Sequence, residues 1–254
     1  MPRMPAARNT LAVLRYLATR SGPVRASTLA RDLGMPRSSV YQLVRVMMDE
    51  GFVVHYPEDR AYGLSALVVE IGSASLQTER LARLAHPLME RLVADSPVPV
   101  VAHLAVLSGS EVTYIDKVQG ARAPTTVSNV GVRLPAHLTA TGRAMLAQLS
   151  TTQVRALYPT RDALIRRVGP GPSTLAELDG MLLDTRERGW AVELGDVQSD
   201  YSSVGSAALD LKGYPVAGVG VTYRTGAGDS EADALGVAVA ATAAALGKRA
   251  QGRA

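Results

Sequence analysis

Along the first fifty positions, apolar residues recur at the spacing of helices rather than strands. Leu11, Leu14 and Leu17, with Val13 beside them, share one side of a helix that should end near the breaker cluster Ser21-Gly22-Pro23. A second, barely two turns long, is expected from Ser27 as N-cap through Leu29, Ala30 and Leu33 to Gly34, which suits a left-handed terminus. Pro36 fits the first position of a third helix, with Val40, Leu43, Val44, Met47 and Met48 as its apolar stripe and Gly51 as its end. Two short helices around a Gly-Met-Pro turn, then a longer one, predict a helix-turn-helix whose last helix enters the major groove of DNA. The runs Phe52–Tyr56 and Ala61–Leu64 flank the polar Pro57-Glu58-Asp59-Arg60, the pattern of a β-hairpin wing.

Beyond the wing, helical spacing returns in Leu67, Val68 and Ile71 and again in Leu81, Leu84, Leu88 and Leu92. This predicts a linker helix followed by a separate helix from Glu79 to Ala94. Pro97–Leu107 and Glu111–Val118 read as a hairpin across Ser108-Gly109-Ser110, with Val112, Tyr114 and Asp116 on one side and Thr113 and Ile115 on the other. Thr139 can cap a helix carrying Met145, Leu146 and Leu149, and Thr174 with Glu177 forms a capping-box pattern before a helix ending at Gly189. Strand character follows in Ala191–Glu193, Val204–Leu209 and Val216–Tyr223, then an alanine-rich helix from about Ser230 to Leu246. Runs of strands among helices of unequal length imply an α+β fold. The expected organisation is residues 1–64 as a winged helix-turn-helix, 65–78 as the linker helix and 79–254 as a larger sheet domain.

Charge sharpens the division. Residues 1–48 carry eight arginines against the single acid Asp32, a net +7, whereas the other 206 residues hold 19 bases and 22 acids, a net −3. A basic module joined to a mildly acidic one points to a polyanion at the amino-terminal end. Opposite the stripe of the third helix stand Arg37, Ser38, Tyr41, Gln42 and Arg45, with no acid before Asp49. Arginine and glutamine make bidentate contacts with guanine and adenine edges, so this face is the expected reader of duplex DNA. Arg25, Ser27 and Ser39 complete the candidate interface. The apolar face of the linker helix, which a small winged module cannot cover, predicts a homodimer or homotetramer on a near-palindromic operator.

Catalytic and metal-binding patterns are not found. His55, His86, His103 and His137 stand apart from one another in the sequence and are each expected to be structural; no metal and no cofactor is anticipated. There is no cysteine, no G-x-S-x-G elbow and no P-loop, and Tyr223 occupies the third glycine's place after Gly218-Val219-Gly220. An enzyme would need a cryptic site in the sheet domain, and an RNA-binding module would want more exposed aromatics than one Phe and one Trp promise. The longest uncharged apolar run, Ala234–Gly247, is shorter than a membrane span of ~18 residues, and basic residues interrupt the first leucines. With no cysteine to oxidise, a cytoplasmic protein without membrane contact is expected.

Four stretches carry a resemblance to a known family. They are Ser27–Tyr41, Gly131–His137 running into Thr139–Ala144, Arg186–Glu193, and Asp210–Tyr223. The first is shared by many helix-turn-helix proteins, but together the chain resembles the IclR-type (isocitrate lyase regulator) transcriptional regulators over nearly its whole length. That resemblance implies a winged helix, a linker helix and a GAF-like α/β domain binding a small effector, commonly an organic acid. The implied pocket residues fall on Ala140, Thr141, Glu193, Tyr201, Ser203, Gly220 and Thr222, with Leu134 as an apolar wall. Gly220 stands where some members place a hydroxyl, and Asp200 where a glycine is usual. On this reading the amides of Ala140 and Thr141 receive a carboxylate at a helix start with no buried arginine. Glu193 is then protonated or grips a ligand hydroxyl, and Gly220 leaves room for a ligand larger than a two-carbon acid.

Overall fold

A computed structural model describes residues 4–20, 22–226 and 228–252, and the side chains of all of these except 73–75 and 229. Ser21, expected in the first breaker cluster, and Arg3 lie outside the described residues. The chain divides into two compact units, residues 1–77 and 78–254.

In the first unit, α1 (Pro5–Ala18), α2 (Ala26–Asp32) and α3 (Arg37–Asp49) pack around Val13, Leu17, Leu29, Val40, Val44 and Met47. The buried side of α1 is Val13 and Leu17, an i,i+4 pair; Leu11, expected there, is 60% exposed. Met48 likewise leaves the stripe of α3, because the core is met by Val40, Val44 and Met47. Gly34 (φ 63°) and Gly51 (φ 78°) are left-handed, as their places at helix ends require. Two starts differ from expectation. Arg25, not Ser27, is the N-cap of α2, and Pro36 is the N-cap of α3 rather than its first residue. The shift at α2 follows from an unforeseen short strand β1 (Val24–Arg25), which pairs with the wing and fixes the chain just before the helix. The wing itself is β2 (Val53–Tyr56) and β3 (Ala61–Leu64), giving the order β1-β3-β2.

The linker helix and the helix expected from Glu79 are one, α4 (Ala66–Ala94), because no turn residue separates them. The second unit is built on a six-stranded antiparallel sheet, ordered β6-β5-β4-β9-β8-β7. Its strands are β4 (Val101–Ser108), β5 (Glu111–Gln119), β6 (Arg133–Pro135), β7 (Ala191–Leu194), β8 (Tyr201–Leu209) and β9 (Pro215–Arg224). One face is dry: Ala102, Leu104, Val219 and Val221 pack with Ala85, Met89 and Leu92 of α4 and with Leu235, Val239, Ala243 and Leu246 of α8 (Asp229–Ala250). The other face meets the short helix α5 (Ala140–Leu146), then α6 (Thr151–Leu157) and α7 (Leu175–Arg188). Among the described residues no helix is long and apolar enough to cross a membrane.

A β-bulge changes the reading of β5. Ala105 pairs with Tyr114 and Leu104 with Asp116, so Ile115 is the extra residue and the alternation changes phase there. Asp116 therefore leaves the side of Tyr114 on which strict alternation put it and accepts a 2.8 Å contact from His86 of α4. Thr139 does cap α5, accepting from the Gly142 amide, and Gly189 ends α7 in a left-handed conformation. At α7 the Thr174 hydroxyl accepts from the Glu177 amide, but the Glu177 carboxylate turns to the Ser173 amide and hydroxyl, so the expected box closes one residue early. A reciprocal box joins Ser150 and Gln153 at α6.

Candidate functional site

Seven of the eight residues of the candidate DNA interface stand at the surface. Arg37, Ser38, Tyr41, Gln42 and Arg45 are exposed along α3, and Arg25 and Ser27 are exposed at the start of α2. Ser39 is half-buried beside Val40 and is the least available of the set. A shallow depression between α2 and α3 brings Ser27 and Arg37 together with Thr28, Arg31 and Met35. Arg25 reaches the wing, its Nε donating to the Asp59 carbonyl at 3.2 Å. The lone acid of the basic segment is already engaged. Asp32 accepts from Arg31 Nε at 2.8 Å and from the Tyr16 hydroxyl, and these contacts hold its carboxyl below the usual range. The face that remains presents arginine, glutamine and tyrosine, and the one acid of the basic segment is charge-paired on α2, which suits contact with phosphates and base edges.

The second unit holds a small cavity of about 40 Å³ between the sheet and α5. Leu134, Ala140, Thr141, Glu193, Tyr201, Ser203, Gly220 and Thr222 all line it, although they come from β6, α5, β7, β8 and β9. Register explains part of the gathering. Glu193 pairs with Ser203 and Ser203 with Thr222, so one row crosses three strands on the cavity face. The Ser203 and Thr222 hydroxyls lie 3.0 Å apart and bond to each other.

Close packing of α5 on this row depends on glycine. A Cβ on Gly205 would sit 2.6 Å from the Ala140 carbonyl carbon, one on Gly218 2.9 Å from the Thr141 carbonyl oxygen, and one on Gly220 2.7 Å from Thr141 Cγ2. The space expected at Gly220 for a larger ligand is thus taken by the Thr141 methyl. Gly220 brings the helix onto the sheet.

Glu193 is 3% exposed, and its Oε1 accepts from the amides of Asp196 and Val197. Burial pushes its carboxyl above the ordinary glutamate value, while the Ser203 hydroxyl and the two amides pull the other way. The loop that supplies those amides is held by a buried ion pair that the sequence reading missed. Arg143 of α5, 3% exposed, donates to Asp196 Oδ2 and, at 2.8 Å each, to the carbonyls of His137 and Val192. A buried arginine therefore does stand beside the site, with three of its five N–H donors given to the protein.

Six further polar lining residues were not anticipated as part of the site: His103, Tyr114, Thr126, Ser128, Thr139 and Gln198. His103 had been expected to be only structural, but its ring faces the cavity between Tyr114, edge-on with centroids 5.3 Å apart, and Ser128. No short-range signal marks it, because β4 reads as a plain apolar strand. The other histidines serve the scaffold: His137 contacts the Ile165 carbonyl at 2.9 Å and His55 packs on Tyr62. Among the described residues no cluster of three or more His, Asp or Glu side chains is arranged to hold a metal ion.

Comparison with known proteins joins these observations. Residues 73–247 match the family model for the bacterial transcriptional regulator IclR C-terminal domain, and residues 6–57 match that for the IclR helix-turn-helix domain. The acetate operon repressor of Salmonella typhimurium is 29% identical over 214 residues, 84% of this chain and 77% of that protein. The transcriptional repressor IclR of Escherichia coli is 32% identical over 187 residues, 72% of this chain and 66% of that one. In fold the chain is similar to the Thermotoga maritima IclR structure (TM-score 0.64, 23% identity, covering 97% and 99% of the two chains). It is also similar to an IclR homologue from Microbacterium hydrocarbonoxydans complexed with 4-hydroxybenzoate (TM-score 0.62, 19% identity, covering 96% and 98%). With both units matched by its models, the chain belongs to the IclR family of bacterial transcriptional regulators.

Proposed function

We propose that this regulator reads a near-palindromic duplex operator as a homodimer or homotetramer through the exposed face of α3, and that a small organic acid in the cavity on α5 modulates its operator affinity. One observation carries the effector half. Eight residues from five separate elements converge on one cavity whose lining includes the buried, unpartnered Thr141 hydroxyl. A buried hydroxyl without a protein partner is a place where a ligand's polar group gains a hydrogen bond. The carboxylate of the Microbacterium homologue's ligand supports an acid as the chemical class.

In this reading the acid lies across Thr141, Ser203 and Thr222, with Leu134 and Tyr201 as walls. The Ser203 and Thr222 hydroxyls already bond within the sheet, so their turn toward a ligand exchanges one hydrogen bond for another. Helix α5 is only seven residues long and its cap already takes the Gly142 amide, so its dipole adds less than the hydroxyls do. Glu193 takes part protonated or through a ligand hydroxyl, since an ionised carboxylate beside the acid would repel it. An effector that binds the operator-competent and operator-incompetent states unequally by ~1–3 kcal/mol changes operator affinity about 5–150-fold.

Two experiments test the two halves. Arg37→Ala and Arg45→Ala should each weaken a specific operator by roughly 1–3 kcal/mol where a base is read, or lower affinity for all duplexes alike where phosphate is touched. Unchanged binding in both removes α3 from the interface. Calorimetry with a panel of small carboxylic acids on Thr141→Val, Ser203→Ala and Thr222→Val should show weakened binding, and three variants that bind as tightly as wild type place the effector elsewhere.

A further inference from the structure

We infer that His103 and Thr126 form a second polar pole of this cavity, which selects an effector carrying a neutral hydroxyl in addition to its carboxylate. The inference rests on the cavity being the effector site and adds a feature that the pocket residues expected from the sequence do not contain. Among the described residues, four buried side-chain polar atoms lack a hydrogen-bond partner, and three of them belong to cavity residues: His103 Nδ1, Thr126 Oγ1 and Thr141 Oγ1. Thr141 belongs to the row already described. The other two come from β4 and from the segment after β5, and they are 3% and 7% exposed.

The imidazole is held in place. Its Nε2 lies 3.3 Å from Ser128 Oγ, its ring meets Tyr114 edge-on, and its cross-strand neighbour on β9 is Gly220, which presents no side chain against it. Burial, with the Lys117 ammonium nearby, pushes the imidazole down to about 3, so it is neutral at ordinary pH. A neutral imidazole has one donor and one acceptor nitrogen, and whichever of these Nδ1 is, it is left without a partner.

The identity of the missing group follows from charge. Among the described residues no lysine or arginine lines the cavity, and Lys117 Nζ donates to Asn129 Oδ1 at 3.0 Å. The acid that does line it is Glu193. A second carboxylate would add a further buried negative charge to a cavity that already takes the acid and holds no cation. A hydroxyl both donates and accepts, so it satisfies Nδ1 in either tautomer and equally suits the Thr126 hydroxyl. An apolar group there leaves both atoms unpaired, which is the situation in which a site rejects the analogue lacking a hydroxyl most strongly.

Isothermal titration of the full-length protein with matched probes tests this: benzoate against 3- and 4-hydroxybenzoate, phenylacetate against 4-hydroxyphenylacetate, pentanoate against 5-hydroxypentanoate, and terephthalate as the dicarboxylate. In at least one pair the hydroxylated member should bind tenfold or more tightly than its parent. His103→Leu and Thr126→Val should each cut that advantage below threefold. Thr126→Val is nearly isosteric and decides the matter alone if His103→Leu melts far below the wild type. Parents that bind as well as their hydroxylated partners, an advantage that survives both substitutions, or a preference for terephthalate would overturn the second pole while leaving the effector site standing. If no probe binds, or if binding ignores Thr141→Val and Ser203→Ala, the effector reading fails and takes this inference with it.

Discussion

The two faces of the six-stranded sheet are made by the same strands and differ in almost everything else. Toward α4 and α8 the strands present Ala102, Leu104, Val219 and Val221, all fully buried and apolar. Toward α5 they present His103, Tyr114, Glu193, Ser203 and Thr222, with glycines between them. The first face is a close-packed core whose work is stability. The second gives up apolar burial for polar groups aimed at a cavity, and a buried ion pair packs beside it. That pair is Arg143–Asp196.

The largest effect should come from breaking that pair. Arg143→Met leaves Asp196 buried and unpaired and should cost about 3–5 kcal/mol by urea denaturation, whereas Arg143→Met combined with Asp196→Leu should recover a large part of the loss. A small cost in the single variant would mean that the polar face does not depend on the pair. On the dry face, Leu104→Ala should lose about 3 kcal/mol through transfer and cavity terms while effector affinity stays unchanged. A change in affinity as large as the change in stability would abolish the distinction between the faces. Gly220→Ala should cost ~1–3 kcal/mol by driving a methyl into Thr141 Cγ2 and to 3.0 Å from the Val204 carbonyl oxygen, and Thr141→Ser in the same chain should restore the part due to Cγ2.

The smallest expected effect sharpens the comparison at the bulge. Asp116 holds the His86 imidazole above its ordinary value through their 2.8 Å contact. A raised histidine contributes stability that is fully present below its unfolded value near 6.5 and is lost as pH rises through the folded value. The wild type should therefore exceed His86→Gln in stability at about pH 5, by less than ~1 kcal/mol because the ring is half exposed, and the difference should shrink toward alkaline pH. A gap that grows with pH would show that Asp116 does not serve the α4 side.

Legibility in the sequence followed the range of the interaction. The helix ends at Gly34 and Gly189 and the Thr139 cap were readable because each is decided within four residues. The candidate cavity was partly readable, but only through family resemblance, since Ser203 and Thr222 look like ordinary strand residues until β7, β8 and β9 align them. His103, Thr126 and Arg143 were not readable as site residues. His103 lies in an apolar run, and Arg143 finds its partner 53 residues away.

By itself the sequence determined the basic amino-terminal module, the exposed face of α3, the wing and the α+β character of the rest. These follow from charge and from hydrophobic period, both written locally along the chain. Tertiary structure alone decided which face each residue of β5 takes, because the bulge at Ile115 arises from pairing with β4. It also decided that Gly220 admits the Thr141 methyl rather than enlarging the cavity, and that a neutral histidine lines that cavity. Each depends on what stands opposite across a strand or a helix contact, and a linear pattern carries no record of that neighbour.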